Sequence, residues 1–243
     1  MIENFHPRSC PTHSNSSSWI DSYSWFYKNL HLVDVEGKPK LRNMKVIMKG
    51  RMRSKYKDCF DFNSIQINTF DKNERMFFMD AIINKLSVKG YHSFKDNSAQ
   101  TNIKLLSIFP IVSDSSELLK KAETVTLFND MCIMAPATLI AGNIQWKEVD
   151  ENKAIAHFTN DGITISTKLF IDNDGALIKF HSDDRIDING KKAYGFSTPI
   201  SGYKKQNGYM MPTYGEAIWH YPEGEFVHGE FDIQTITYNV KRV

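Results

Sequence analysis

Cysteine is scarce in this chain, with three residues in 243, Cys10, Cys59 and Cys132. The odd count and the lack of any C-x-x-C spacing argue against a disulfide framework and favour a reducing compartment. Because Cys59 and Cys132 have apolar sequence neighbours, we expect both to be buried thiols rather than nucleophiles.

Long apolar runs are also lacking. No stretch approaches the roughly 20 apolar residues that a membrane-spanning helix needs. The N-terminus does not show the basic segment followed by an apolar run that marks a signal peptide. From these two absences we expect a cytoplasmic protein without a transmembrane segment.

An excess of charge of one sign is missing as well. The chain has 30 basic and 28 acidic residues, a net charge of +2. Phosphate binding requires a concentrated basic surface, so this balance argues against a nucleic acid partner. The one basic cluster, between Lys45 and Lys57, has the alternating pattern of a solvated strand face.

Familiar catalytic motifs are absent. There is no G-x-S-x-G elbow, no phosphate-binding loop and no G-x-G-x-x-G segment, which excludes the commonest hydrolase and nucleotide-binding classes. The eight histidines lack metal-ligand spacing. We therefore expect neither a metal nor a cofactor.

What the chain does contain is a succession of short apolar strands. Aromatic residues make up 12% of the sequence and suit pleated, half-buried surfaces. Strand patterns fill residues 44–111 and return after residue 142, and the segments 71–73, 84–85, 96–98, 150–152, 160–162 and 173–175 between them are typical of hairpin turns. These features predict a mainly β (α+β) fold, a curved antiparallel sheet or half-open barrel of about eleven strands.

Helical patterns interrupt the strands in two places. The patterns of residues 114–122 and 127–135 predict a helical insertion at about 114–141, between two β halves. Within it, the second helical segment is expected to end before Pro136. Residues 19–31 predict a short N-terminal helix. The polar residues 1–18 predict a flexible tail, and we expect residues 19–243 to form one domain.

A cluster of charged residues could support chemistry. Asp183 and Asp184 stand beside Arg185, so the two carboxylates could act as acid and base or could hold a metal. The segment could instead be a turn in which aspartate caps backbone amides and Arg185 pairs with one carboxylate. Asp130 lies in an apolar helical segment and needs a partner if it is buried, for which Arg185 is our candidate. With Glu216, these residues are the catalytic candidates.

Several strands are apolar on both faces, so each face needs a covering. One covering would be the helical insertion, and the other could be a ligand cavity or a second core layer. Methionines adapt to irregular ligands. The expected ligand-binding residues are Phe77, Met79, Phe109, Phe128, Met131, Met134, Phe170 and Trp219.

The sequence resembles a bacterial family known only as a domain of unknown function. The resemblance covers about residues 45–240 and rests on short stretches in the same order: FNDMCIMAPATLI (128–140), IQW (144–146), AHFT (156–159), SDDR (182–185), STPI (197–200), GEAIW (215–219) and GEFVHGEF (224–231). It implies a shared site at Asp130, Asp183, Asp184, Arg185, Glu216 and Trp219, without a role for it. The order of strands and helices is also similar to lipoprotein-carrier folds, in which a curved sheet wraps helices and holds acyl chains.

Three functions are compatible with these patterns. The first is a protein that binds a lipid or other apolar small molecule between the sheet and the helices. The alternative is an enzyme acting on a small molecule or lipid, with Asp183, Asp184 or Glu216 as acid or base and Arg185 holding an anion. It requires at least two of these carboxylates and Arg185 to face one cleft. The third is a structural or interaction module, for which we expect a flat apolar patch and no pocket.

Overall fold

The computed structural model describes residues 41–53, 59–106, 109–149, 152–206 and 209–241. The expected tail at 1–18 and the expected helix at 19–31 lie outside these residues. The strands are β1 (Asn43–Met52), β2 (Phe60–Thr69), β3 (Glu74–Ile83), β4 (Leu86–Lys95), β5 (Ser98–Leu105), β6 (Phe109–Asp114), β7 (Ile144–Val149), β8 (Lys153–Asn160), β9 (Ile163–Ile171), β10 (Leu177–Asp187), β11 (Lys192–Ser201), β12 (Lys204–Gln206), β13 (Tyr209–Met211), β14 (Tyr214–Tyr221) and β15 (Gly224–Tyr238).

Thirteen of these strands form one curved antiparallel sheet that does not close into a barrel. Their order is β6-β5-β4-β3-β2-β1-β15-β14-β11-β10-β9-β8-β7, while β12 and β13 form a separate two-stranded ribbon. The main sheet is therefore two meanders joined where β1 pairs with β15. Within the described residues the sheet has two more strands than the eleven expected, because the first half contains six strands and the second contributes seven.

One long helix connects the two edge strands. Helix α1 spans Glu117–Met134, a length of about 27 Å at 1.5 Å per residue. Ser116 caps its first turn by accepting a hydrogen bond from the Leu119 amide at 3.3 Å. The helix ends before Pro136, which begins a 3-10 helix over Pro136–Ile140. The insertion was expected as two helical pieces and is one continuous α-helix followed by this short turn.

The sheet curves around α1. The helix contacts β5 in the first meander and β9 and β10 in the second, strands that lie far apart in the sheet order. Phe128, at the middle of the helix, is fully buried and stacks on Phe158 of β8 with ring centroids 4.6 Å apart. The concave face and the helix thus enclose the core.

Predicted turns join many of the strands. Asn84 and Lys85 have φ values of +50° and +66°, and Asp96 and Asn97 have +49° and +55°. Two successive positive φ values define the type I′ turn, which matches the right-handed twist of a hairpin. Asp161 and Gly162 repeat the arrangement at +47° and +80°.

The cysteine prediction is half right. Cys132 is buried in α1, and burial raises the pKa of its thiol well above the ordinary value. Cys59 is exposed, because it lies just before β2 and not inside the sheet. Among the described residues, no helix is long and apolar enough to span a membrane.

Candidate functional site

A cavity of about 210 Å³ lies between α1 and the concave face of the sheet, with walls from both meanders. Its apolar lining consists of Met48, Met52, Phe77, Ile133, Met134, Phe196, Ile200, Ala217, Phe231 and Ile233. Its polar lining consists of Gln66, Arg75, His92, Glu123, Thr126, Asn129, Asp130, Arg185, Thr198 and His228. A few convergent polar groups in an apolar wall are the usual composition of a small-molecule site.

A buried ionic network forms part of the wall. Oδ2 of Asp130 accepts hydrogen bonds from Nε of Arg75 at 2.8 Å, from Gln66 at 2.8 Å and from Asn68 at 3.2 Å. Arg75 also reaches Glu123 at 3.5 Å. Desolvation raises the pKa of Asp130, and the positive charge of Arg75 opposes that rise. Arg75, and not Arg185 as expected, is therefore the partner of Asp130.

Arg185 reaches the cavity because β10 contains a β-bulge. Ser182 pairs with Phe196 and Arg185 with Tyr194, so three steps on β10 match two steps on β11. Without the extra residue, Ser182 and Arg185 would point to opposite faces of the sheet. The bulge turns Arg185 toward the helix, where its Nη1 donates a hydrogen bond to Thr126.

Aromatic rings support the Arg185 guanidinium. Its central carbon lies 4.3 Å from the ring centre of Phe196 and 5.5 Å from that of Trp219. Among the described residues, no carboxylate lies within ion-pair distance of it. Desolvation lowers the pKa of Arg185 to about 10, and the negative charge of Glu123 opposes this decrease. Arg185 therefore remains a cation at neutral pH.

Two histidines complete the polar wall. His228 donates through Nδ1 to the Arg53 carbonyl at 2.9 Å, since a carbonyl oxygen can only accept. Burial, followed by the charge of Arg185, lowers the pKa of His228 to about 4. Burial also lowers the pKa of His92, whose Nδ1 lies 3.0 Å from the hydroxyl of Thr101. Both imidazoles are therefore neutral at pH 7.

The proposed catalytic carboxylates do not meet in one cleft. Asp183 is exposed and bonds His181 at 3.0 Å, while Asp184 pairs with Lys121 of the helix at 2.7 Å. Glu216 lies between Gly215 and Ala217, which line the cavity, so it points to the other face of β14 and accepts from the Tyr214 hydroxyl at 2.8 Å. The arrangement required for the enzyme alternative is not present.

A serine–histidine–glutamate chain occurs on the convex face. Nε2 of His220 lies 2.8 Å from Oγ of Ser197, and its Nδ1 lies 3.2 Å from Glu225. The order of groups resembles that of a catalytic triad. Ser197 is only 2% exposed, however, so a substrate cannot reach its hydroxyl. We interpret the chain as a structural hydrogen-bond cluster.

The eight expected ligand-binding residues have different positions. Phe77 and Met134 line the cavity, and Trp219 lies beside it under Arg185. Four others lie elsewhere: Met79, Phe128 and Met131 pack in the core, and Phe170 faces outward beneath the Lys179 ammonium at 4.3 Å. The side chain of Phe109 lies outside the described part of the structure.

An apolar row also crosses the convex face. Ile47, Ile65 and Phe78 are 40%, 42% and 43% exposed, and they are cross-strand neighbours on β1, β2 and β3. Tyr91 of β4 continues the row and packs against Phe78 with ring centroids 4.9 Å apart. This is the kind of patch expected of an interaction module, although that hypothesis required the absence of a pocket.

Sequence reasoning missed most of the polar wall. Gln66 and Arg75 stand in strands whose isoleucines and phenylalanines suggested the buried face, and Glu123 and Asn129 looked like ordinary helix residues. The available signal was Asp130 itself, because a buried carboxylate needs buried donors. In the part of the chain that the structure describes, no group of three or more His, Cys, Asp or Glu side chains is placed to hold a metal.

Comparisons with known proteins place the chain in a family. Residues 28–231 match the model of the family of unknown function DUF6544, and the chain belongs to that family. The comparison with functionally curated proteins found no significant match.

Two solved structures are similar to this chain. A LolA superfamily protein from Nitrosomonas europaea has 10% identity and a TM-score of 0.43, with 94% of this chain and 95% of the other covered. A beta-barrel-like protein of the domain of unknown function DUF1849 from Brucella abortus has 10% identity and a TM-score of 0.22, with 82% and 98% covered. At these TM-scores neither likeness bears on function.

Proposed function

We propose that this protein binds a lipid or similar, mostly apolar small molecule in the cavity between α1 and the concave face of the sheet. The observation that carries the proposal is the cavity itself, with apolar side chains from both meanders and a polar wall formed by α1 and the strands that face it. Met48, Met52 and Met134 give the apolar part an adaptable surface.

The size of the cavity limits the ligand. Its volume of about 210 Å³ is below the ~300–1,000 Å³ of drug-sized sites. A short acyl chain, or one chain of a larger lipid, suits this space better than a whole two-chain lipid. Burial of such a chain contributes roughly 0.8 kcal/mol per CH₂ group.

The test is native mass spectrometry of the purified protein, followed by organic extraction and lipid analysis. We expect a complex heavier than the 28.0 kDa chain and an extract that contains an acyl compound. A bare chain mass, together with no uptake of added short-chain lipids, would contradict the proposal.

A matched pair of variants locates the site. Ala217 lines the cavity, so Ala217→Leu should fill part of it and lower the bound fraction at least tenfold. Ala193→Leu adds the same atoms at a half-buried position of β11 that does not line the cavity. Equal binding by the two variants would place the ligand elsewhere.

A further inference from the structure

The polar wall contains two buried atoms without hydrogen-bond partners. Nε of Arg185 is buried and unpaired, although Nη1 of the same group donates to Thr126. Oδ1 of Asn129 is also buried and unpaired, although Nδ2 of that amide donates to Thr198 at 2.9 Å. A buried polar atom without a partner has lost its hydration and gained no hydrogen bond, so such atoms call for an explanation.

The two unpaired atoms belong to one part of the cavity. Arg185 is held against Thr126, and Asn129 follows Thr126 by three residues on α1. Positions i and i+3 lie on the same face of a helix, about 5–6 Å apart. Arg185 of β10 and Asn129 of α1 both line the cavity, so one unpaired donor and one unpaired acceptor belong to neighbouring residues of its wall.

The charges of the cavity wall balance without a ligand. Arg75 and Arg185 are cations, and Glu123 and Asp130 are the carboxylates held by Arg75. The remaining titratable lining groups are the two histidines, which are neutral at pH 7. A charged ligand would thus add a net charge to a largely desolvated site, which is costly.

Resting on the proposed function, we propose that the cavity selects an amphipathic molecule with an uncharged head, one that accepts a hydrogen bond from Arg185 and donates one to Asn129. A hydroxy ester of a short acyl chain, of the monoacylglycerol kind, has both groups. Its carbonyl oxygen meets Nε of Arg185, a hydroxyl meets Oδ1 of Asn129, and its chain packs against Met48, Met52 and Phe231.

The test compares three ligands of equal chain length on the wild-type protein by titration calorimetry at pH 8, below their aggregation concentrations. 1-Monooctanoylglycerol has the acceptor and the donor, methyl octanoate has the acceptor alone, and octanoate carries a charge. We expect the glycerol ester to bind at least tenfold more tightly than methyl octanoate, and octanoate to bind most weakly. Octanoate binding as tightly as the glycerol ester would overturn the neutral-head inference while leaving the proposed function intact.

The Asn129→Leu variant tests the proposed contact between the ligand hydroxyl and Asn129. The substitution removes the acceptor, so binding of 1-monooctanoylglycerol should fall to the level of methyl octanoate, whose own binding should not change. Arg51→Gln, at an exposed ion pair with Glu230 on the convex face, is the control and should bind all three ligands normally. An undiminished advantage of the glycerol ester in Asn129→Leu would contradict the assignment. If no ligand binds the wild-type protein, the proposed function itself fails; if Asn129→Leu does not fold, the wild-type comparison still decides the inference.

Discussion

At the scale of single residues, the interior of this protein combines an apolar core with a paired ionic network. Arg75 is 8% exposed and Asp130 is 7% exposed, so neither charge is well solvated. Such a pair adds little net stability compared with apolar residues of the same shape, but the loss of one partner leaves the other charge buried alone. Among the described residues, Arg75 is the only cation within ion-pair distance of Glu123 and Asp130.

Replacement of Arg75 should therefore destabilise the fold strongly. We expect Arg75→Met to lower the free energy of unfolding by about 3–5 kcal/mol, because Asp130 and Glu123 would lose their counter-charge. Arg51→Met breaks an exposed pair with Glu230 and should cost no more than about 1 kcal/mol. Urea denaturation of both variants measures the difference, and equal losses would show that the buried network is not held by Arg75.

The buried histidine His228 should make stability depend on pH. Its pKa is about 4 in the folded protein, against about 6.5 when unfolded. The unfolded chain therefore binds the proton first, so this stability is complete above pH 6.5 and is lost as the pH falls toward 4. The contribution is on the order of 2 kcal/mol after a discount for partial exposure.

Denaturation at several pH values tests this contribution. The loss of stability between pH 6.5 and 4 should be smaller in His228→Phe than in the wild type. His157→Phe is the control, since His157 lies between the buried Ala156 and Phe158 and points away from the core. Identical pH profiles for His228→Phe and the wild type would refute the assignment.

At the scale of elements, strand identity was easier to predict than strand orientation. Residues 60–69 form a strand, as their pattern predicts, but the apolar Ile65 is 42% exposed whereas Gln66 and Asn68 are buried. Hydrophobic alternation would place Ile65 inside. Because the face of β2 with Gln66 and Asn68 is the buried one, these two side chains contact Asp130 on a helix more than 60 residues away. Local sequence does not reveal this contact.

The bulge in β10 is a second feature that the periodicity of the sequence could not predict. Asp183, Asp184 and Arg185 are consecutive, and the sequence suggested that they act together. One extra residue opposite β11 separates them, so that Asp183 faces solvent and Arg185 faces the cavity. The turns, in contrast, were predictable from local sequence, because Asn97 and Gly162 are residue types that readily adopt a positive φ.

At the scale of the whole molecule, the two meanders depend on the pairing of β1 with β15, which joins residues 43–52 to residues 224–238. In the part of the chain that the structure describes, these strands lie at the centre of the sheet, and β6 and β7 lie at its two edges. Strands at edges open locally at lower free energy than central strands.

Hydrogen exchange should follow this order. Backbone amides in peptides that cover β1 and β15 should exchange with deuterium most slowly, and those in peptides that cover β6 and β7 should exchange first. Mass spectrometry with correction for intrinsic exchange rates measures the difference. Uniform protection across all four strands would mean that the sheet opens only as a whole, contrary to the expectation from its edges.

The sequence alone determined the class of fold, the hairpin turns, the position of the helical insertion and the need for a partner at Asp130. These features depend on local preferences of the backbone, on periodicity, and on the cost of burying a charge. The tertiary structure decided which face of each strand is inside, which cation pairs with Asp130, and which residues surround the cavity. Those outcomes depend on strand register and on contacts between distant segments, and a shift of one residue in register exchanges the two faces of a strand.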